Sequence, residues 1–218
     1  MKRFLILFFL LITTLSYGVD EYLTGVIYFP LGPRNPDELE EPPVDEEVFR
    51  RILEEARYIF SGMIYGYHFT YTPSDKNRQI KEYYEIEPIK QIPWGDKRLK
   101  IRSSRRVDRN LYITVEYYLN QAQIINRQHW NSANIPTAGG FGSANYFLGW
   151  ESRFKSIDNG IKEAIRNYLR PREFNKPREI TGEALLIDVP SFTVESGKIH
   201  ANVRVHLNIT EIVPYKSF

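Results

Sequence analysis

The feature that most constrains this chain is the run VESGKIHANVRVHLNI at residues 194–209. After a turn at Glu195-Ser196-Gly197, the residues Ala201, Val203, Val205, Leu207 and Ile209 alternate with Asn202, Arg204, His206 and Asn208. A period of two sustained over that length predicts a β-strand with one buried and one wet face. A second version, VDRNLYITVEYYLN at residues 107–120, places Leu111, Ile113, Val115, Tyr117 and Leu119 on one side. Allowing one extra residue at Lys198, Leu111 aligns with Ile199, Val115 with Val203, and Leu119-Asn120 with Leu207-Asn208. Each run follows a helical pattern and a proline-bent extended segment. The expectation is two weakly similar halves, residues 44–125 and 150–213, each a helix plus a hairpin, sharing one sheet. Coincidence between amphipathic strands is the alternative.

The helical patterns are clear. Over residues 45–60, Asp45 offers an N-cap, Glu46 and Glu47 complement the helix dipole, and Val48, Ile52, Leu53, Ala56, Ile59 and Phe60 recur at helical spacing. Gly62 is expected to end this helix. Residues 63–72 then alternate, with Met63, Tyr65, Tyr67, Phe69 and Tyr71 forming a core face beneath it. Residues 83–92 are extended, and Pro88 and Pro93 confine them to an edge or a bend. A second helix carries Phe154, Ile157, Ile161, Ala164, Ile165, Tyr168 and Leu169 until Pro171 stops it. Residues 179–190 form another strand. The fold class that follows is α+β, a predominantly antiparallel sheet of about seven or eight strands with two main amphipathic helices.

The N-terminus predicts a destination. Met1-Lys2-Arg3 precedes an apolar run over residues 4–15, and Ser16-Tyr17-Gly18 supplies small residues at the outer cleavage positions. This is the pattern of a cleavable secretory signal at residues 1–18, leaving a single domain over residues 19–218 in the periplasm or secreted. Without Lys2 and Arg3, 27 basic residues face 27 acidic ones. A chain that close to neutrality is a poor partner for nucleic acid. Cysteine is absent, which excludes disulfides, thiolate metal sites, a cysteine nucleophile and a lipid anchor on cysteine. No later stretch has the roughly 20 apolar residues of a membrane-spanning helix.

Few residues assemble into a recognisable catalytic or metal-binding pattern. His200 and His206 point the same way on their strand, but six residues separate them by about 20 Å, too far to share an ion, and wet-face histidines are expected. His68 and His129 are isolated, so no metal and no cofactor is expected. Ser143 in Gly142-Ser143-Ala144 lacks the strand-to-helix context of a nucleophile elbow. Gly139-Gly140-Phe141-Gly142 has no following Lys-Ser/Thr and reads as a flexible turn rather than a phosphate cradle. Glu82, Glu85, Glu87 and Glu116 among tyrosines are the raw material for a glycan-active enzyme.

Two binding candidates remain. Residues 126–149 read as a long glycine- and asparagine-rich loop carrying Trp130, Phe141, Tyr146 and Phe147, more apolar area than such loops normally hold, so these rings either pin the loop down or meet a partner as interface anchors. Arg98, Lys100, Arg102, Arg105 and Arg106 cluster on one hairpin as a basic stripe, which protects a sheet edge and suits an anionic polymer or headgroup. The functional expectation is an exported, non-catalytic cell-envelope protein that binds or scaffolds another envelope protein or an anionic envelope polymer. The alternatives are a glycan-active enzyme using acidic residues around Tyr83 to Glu87, and a small outer-membrane β-barrel.

Overall fold

These patterns resolve, in a computed structural model, into nine strands and three helices among the described residues, 21–31, 46–107, 110–132 and 134–215. In chain order they are β1 (Tyr22–Pro30), α1 (Glu46–Ile64), β2 (Tyr67–Thr72), β3 (Tyr83–Pro88), β4 (Leu99–Val107) and β5 (Asn110–Tyr118). There follow α2 (Gln121–Trp130), β6 (Thr137–Asn145), α3 (Glu151–Leu169), β7 (Glu179–Leu186), β8 (Ser191–Glu195) and β9 (Lys198–Val213). The fold is α+β with antiparallel pairing throughout. The predicted leader and the predicted N-cap Asp45 lie outside the described residues.

The strands form two sheets rather than the single shared sheet expected from the two hairpins. One is three-stranded, in the order β1-β5-β4; the other runs β3-β2-β7-β9-β6, with β8 also on β9. Periodicity says which face of a strand is buried but not which strand it pairs with. Here β5 is taken by β1 along its whole length, from Tyr22 opposite Tyr118 to Pro30 opposite Asn110. The hairpins that resemble each other in sequence therefore lie in different sheets. Both sheets are open among the described residues, so they do not form the single closed barrel.

The spine of the larger sheet is β9. It pairs with β6 on one side and with β8 and then β7 on the other. The β8–β9 turn is tight because Ser196 and Gly197 both take positive φ, 51° and 71°, the twist a two-residue hairpin needs. Ala201, Val203, Val205 and Leu207 are buried as their alternation requires. They join α1, α3 and the inner faces of β1, β2 and β5 in one hydrophobic cluster.

Three expectations about element limits are corrected. First, α1 runs past Gly62 to Ile64. A Cβ at Gly62 would lie 2.3 Å from the Tyr67 hydroxyl, so this glycine makes room for a core ring instead of ending the helix. Second, α2 occupies the start of the supposed loop, opened by a reciprocal cap between Asn120 and Gln123. Third, residues 137–145 are a strand of the larger sheet. Its glycines face α3 directly: a Cβ at Gly140 would meet the Gly160 carbonyl oxygen at 2.0 Å, and one at Gly142 the Gly160 nitrogen at 2.0 Å. Helix and strand thus touch backbone to backbone, and glycine is required there for space rather than for flexibility. Asn159 and Asn167 of α3 donate to the carbonyls of Ser143 and Gly139 at 2.8 and 3.0 Å, satisfying acceptors on the outer side of β6.

Gly142→Ala is expected to lower unfolding free energy by about 3 kcal/mol through overpacking. Gly139→Ala meets nothing closer than 3.7 Å and should stay within about 0.5 kcal/mol of wild type. Urea unfolding of the two variants side by side checks this pair.

Candidate functional site

Two helix positions that look like surface charges are the centre of the molecule. Glu55 shares the buried stripe of α1 with Ile52, Ala56 and Ile59, and Arg153 lies one turn before Ile157 on α3. The side chains are 0 % and 4 % exposed. Arg153 donates through Nε and Nη2 to the two Glu55 oxygens at 2.5 and 2.7 Å, the fork-to-carboxylate geometry that suits guanidinium. Burial pushes the Glu55 carboxyl upward, opposed by Arg153. Burial alone would lower Arg153, but the facing carboxylate and the Tyr28 phenol outweigh it and hold the guanidinium protonated. The bidentate contact is that of an ion pair.

Aromatic rings enclose the guanidinium. Its central carbon lies 4.0 Å from the ring centre of Phe192, 4.7 Å from Tyr28 and 5.0 Å from Trp150. Trp150 donates its indole N–H to the Arg51 carbonyl at 3.2 Å and packs on Phe29. Elements of both sheets therefore meet at one cation.

Above this stack opens a cavity of about 440 Å³. Tyr28 and Tyr112 line it from the three-stranded sheet, Tyr146 and Trp150 from the turn before α3, and Phe192 from β8, with Arg153 also on its wall. Asn110 and Thr193 add polar groups. A pocket of largely aromatic walls with a few polar groups is the usual form of a ligand site.

The outer face of the three-stranded sheet leads to it. By register, Tyr22 faces Tyr118 and Tyr28 faces Tyr112, with ring centres 5.7 and 6.0 Å apart. On β4, Arg105 lies directly opposite Tyr112, so its side chain shares that face.

The five residues of the predicted basic stripe are divided between faces. β4 is an edge strand, exposed along almost its whole length. A bulge between Ile101 and Ser103 resets its alternation. Lys100 and Arg105 consequently share the outer face, the former 5.0 Å from the Tyr118 ring, while Arg106 stands opposite buried Leu111 on the other face. Arg102 lies 4.0 Å from Glu116. Arg98 precedes the strand and is structural: it pairs with Asp96 at 2.7 Å, donates to Gln123 and lies over Tyr117.

The four predicted loop aromatics separate. Trp130 is 5 % exposed, at the end of α2 and apart from the main core. Phe141 is exposed on the outer face of β6, stacked on His200 at 4.9 Å. Tyr146 lines the cavity, and its neighbour Phe147 is exposed. His206, expected on a wet face, is 7 % exposed and hydrogen-bonded to Asn131 at 3.1 Å; the chain after α2 covers that part of the sheet. The four predicted carboxylates do not converge. Glu116 lies on β5 of one sheet and Glu85 and Glu87 on β3 of the other, while Glu82 pairs with Lys162 at 3.0 Å. No group of three or more metal-ligating side chains occurs among the described residues. A second, half-buried polar contact, the Tyr58 hydroxyl donating to Asp158, joins α1 to α3; desolvation raises both groups.

Comparison with known proteins places the chain without assigning it a task. A protein-family model matches residues 23–215, nearly everything described. An uncharacterized protein of Treponema pallidum (strain Nichols) is 25% identical over 167 residues, 77% of this chain and 70% of that protein. No solved structure matches. No helix among the described residues is long and apolar enough to cross a membrane.

Breaking the buried pair from one side strands a charge, so Glu55→Gln and Arg153→Met should each cost about 3–5 kcal/mol. The double variant Glu55→Leu/Arg153→Met should recover much of that loss, which a double-mutant cycle in urea measures. Asp96 offers a pH test. The side-chain hydrogen bonds from Arg98 chiefly hold it below its ordinary 3.8, at about 2. A depressed carboxylate adds stability that is complete above the ordinary value and lost as pH falls through the folded one. The stability gap between wild type and Asp96→Asn should therefore shrink as pH falls from 3.8 toward about 2, read from urea midpoints.

Proposed function

The chain belongs to that uncharacterized family, matched over residues 23–215, and we propose that it is an exported, non-catalytic binding or scaffolding protein of the cell envelope. Its ligand is an anionic envelope polymer, held at the junction of the two sheets. The observation that carries this reading is the shared face of Tyr28, Tyr112 and Arg105, which meets the cavity beside Trp150 and Phe192. Aromatic walls take the flat faces of sugar rings, and hydroxyl and amide groups of Tyr112, Asn110 and Thr193 suit their polar edges. Arg105 and Lys100 supply positive charge outside the pocket for carboxylates or phosphates. Arg153 itself is neutralised by Glu55, so it stiffens the wall instead of competing for the ligand's charge.

A binding role also suits the carboxylates. Glycoside hydrolysis takes two carboxyl groups about 5–10 Å apart flanking one bond. The acid behind this cavity, Glu55, is fully committed to Arg153. Export rests on the leader pattern at residues 1–18.

Soluble peptidoglycan fragments should quench the fluorescence of the leaderless protein, and neutral dextran should not. Tyr112→Ser and Arg105→Glu should each weaken that response about tenfold while leaving the unfolding midpoint near wild type. Equal responses from both variants and wild type would remove the junction from consideration. N-terminal sequencing of protein taken from the extracytoplasmic fraction tests export, with Val19 expected first.

A further inference from the structure

At the opposite end of α3 from the junction lies a surface of another kind. The helix ends at Leu169, and the chain turns through Pro171 to Pro177 before β7. This link is held in place. Arg172 donates to the Tyr168 carbonyl at 2.7 Å, Glu173 N–H to that of Leu169 at 2.8 Å, and Lys176 to that of Ser74 at 2.6 Å; Pro177 is buried. From this anchored link Phe174 projects with 94 % of its surface in water. A pinned loop presenting a whole aromatic ring to solvent is not a core residue that missed its place.

Clefts of about 420 and 340 Å³ lie against Phe174, and both are also lined by Ser74 and Lys176. Arg166 and Arg170 line the first with Glu163 and Glu173, and Lys76 and Arg78 line the second with Asp75, so cations outnumber acids in each once Lys176 is counted. Arg166 reaches Glu163 and Arg78 reaches Asp75. Arg170 and Lys76 have no carboxylate partner among the described residues. Arg172, Arg178 and Lys81, close along the chain to residues that line the clefts, are also exposed. Between residues 170 and 178 the lone acid is Glu173.

We infer that this end of the molecule docks on an anionic bilayer surface, with Phe174 entering the acyl boundary and lipid phosphates entering the flanking clefts. A protein interface of ordinary size needs an exposed apolar centre of several side chains, whereas Phe174 is a single exposed ring between Glu173 and Asn175, the other apolar residues of its clefts, Tyr71, Leu169 and Ile180, being buried. A single apolar tip inside a ring of long cations matches the bilayer interface, where hydrocarbon lies just beneath negative headgroups. The site shares no residue with the junction cavity, so it stands or falls apart from polymer binding.

The test is flotation of the leaderless chain with phosphatidylcholine vesicles, with and without phosphatidylglycerol, at low and high salt. Binding is expected to the anionic vesicles only and to fall with salt. Each cation contributes roughly a fivefold factor near such a surface, so Arg170→Glu with Lys76→Glu should reduce binding by more than tenfold. Phe174→Asp should reduce it several-fold with an unchanged circular dichroism spectrum, and Phe174→Trp should shift its emission to the blue on anionic vesicles. Arg105→Glu should bind vesicles as wild type does. The inference is overturned by equal binding to neutral vesicles, by absent binding, or by wild-type binding of Phe174→Asp. It is also overturned if soluble polyglutamate binds as tightly as the vesicles and independently of Phe174, which would make the surface a dock for acidic protein.

Discussion

The ion pair between Glu55 and Arg153 is the contact on which the arrangement of the two sheets depends. Taking two charges out of water costs several kcal/mol per ion, and a pair in this position seldom stabilises more than an apolar substitute would. Its role is to specify. Both oxygens of Glu55 are matched by fixed donors, and the flat guanidinium is held among Phe192, Tyr28 and Trp150. A relative slide of α1 against α3 would leave an unpaired buried charge. One side chain from α3 thus fixes the position of a ring on β1 in one sheet and a ring on β8 in the other.

The glycine contact between β6 and α3 sets the second constraint. With no side chain between Gly142 and Gly160, the helix lies unusually near the sheet, and its N-terminal turn is carried into the junction. That brings Trp150 and Arg153 to the cavity wall. The two constraints act together, because α3 is positioned by β6 at one point and by Glu55 at another. The second polar contact, Tyr58 on Asp158, lies a turn further along and reinforces the same alignment.

Much of the architecture can be read from spacing. Alternation in β5, β7 and β9 and the helical stripes of α1 and α3 correspond to their buried faces. What spacing does not carry is partnership, which is why two hairpins of similar pattern are found in separate sheets. β6 escaped because a strand whose inward positions are Gly140 and Gly142 shows no apolar period. α2 escaped because few of its residues are apolar, although Asn120 and Gln123 hold the positions of a cap. Of the site, Tyr146 and the basic β4 residues were recognisable, and Tyr112 was not singled out. Glu55 and Arg153 each interrupt an apolar stripe at a core position, the one local sign that these charges are inside.

The pairing of β1 with β5 has a consequence for how the chain matures. Tyr22 and Tyr118 are neighbours across the sheet yet stand about a hundred residues apart along the chain, a long loop to close. If the N-terminus crosses a membrane first, β1 arrives with Tyr22 and Val26 bare and waits for a mate still on the other side. For the unit from β6 to α3 the wait is shorter, since helix and strand adjoin in sequence and the ladder partner β9 follows within about 70 residues. Assembly in that compartment should begin near the C-terminal half and finish at the N-terminal edge, leaving the earliest-delivered strand most in need of a chaperone.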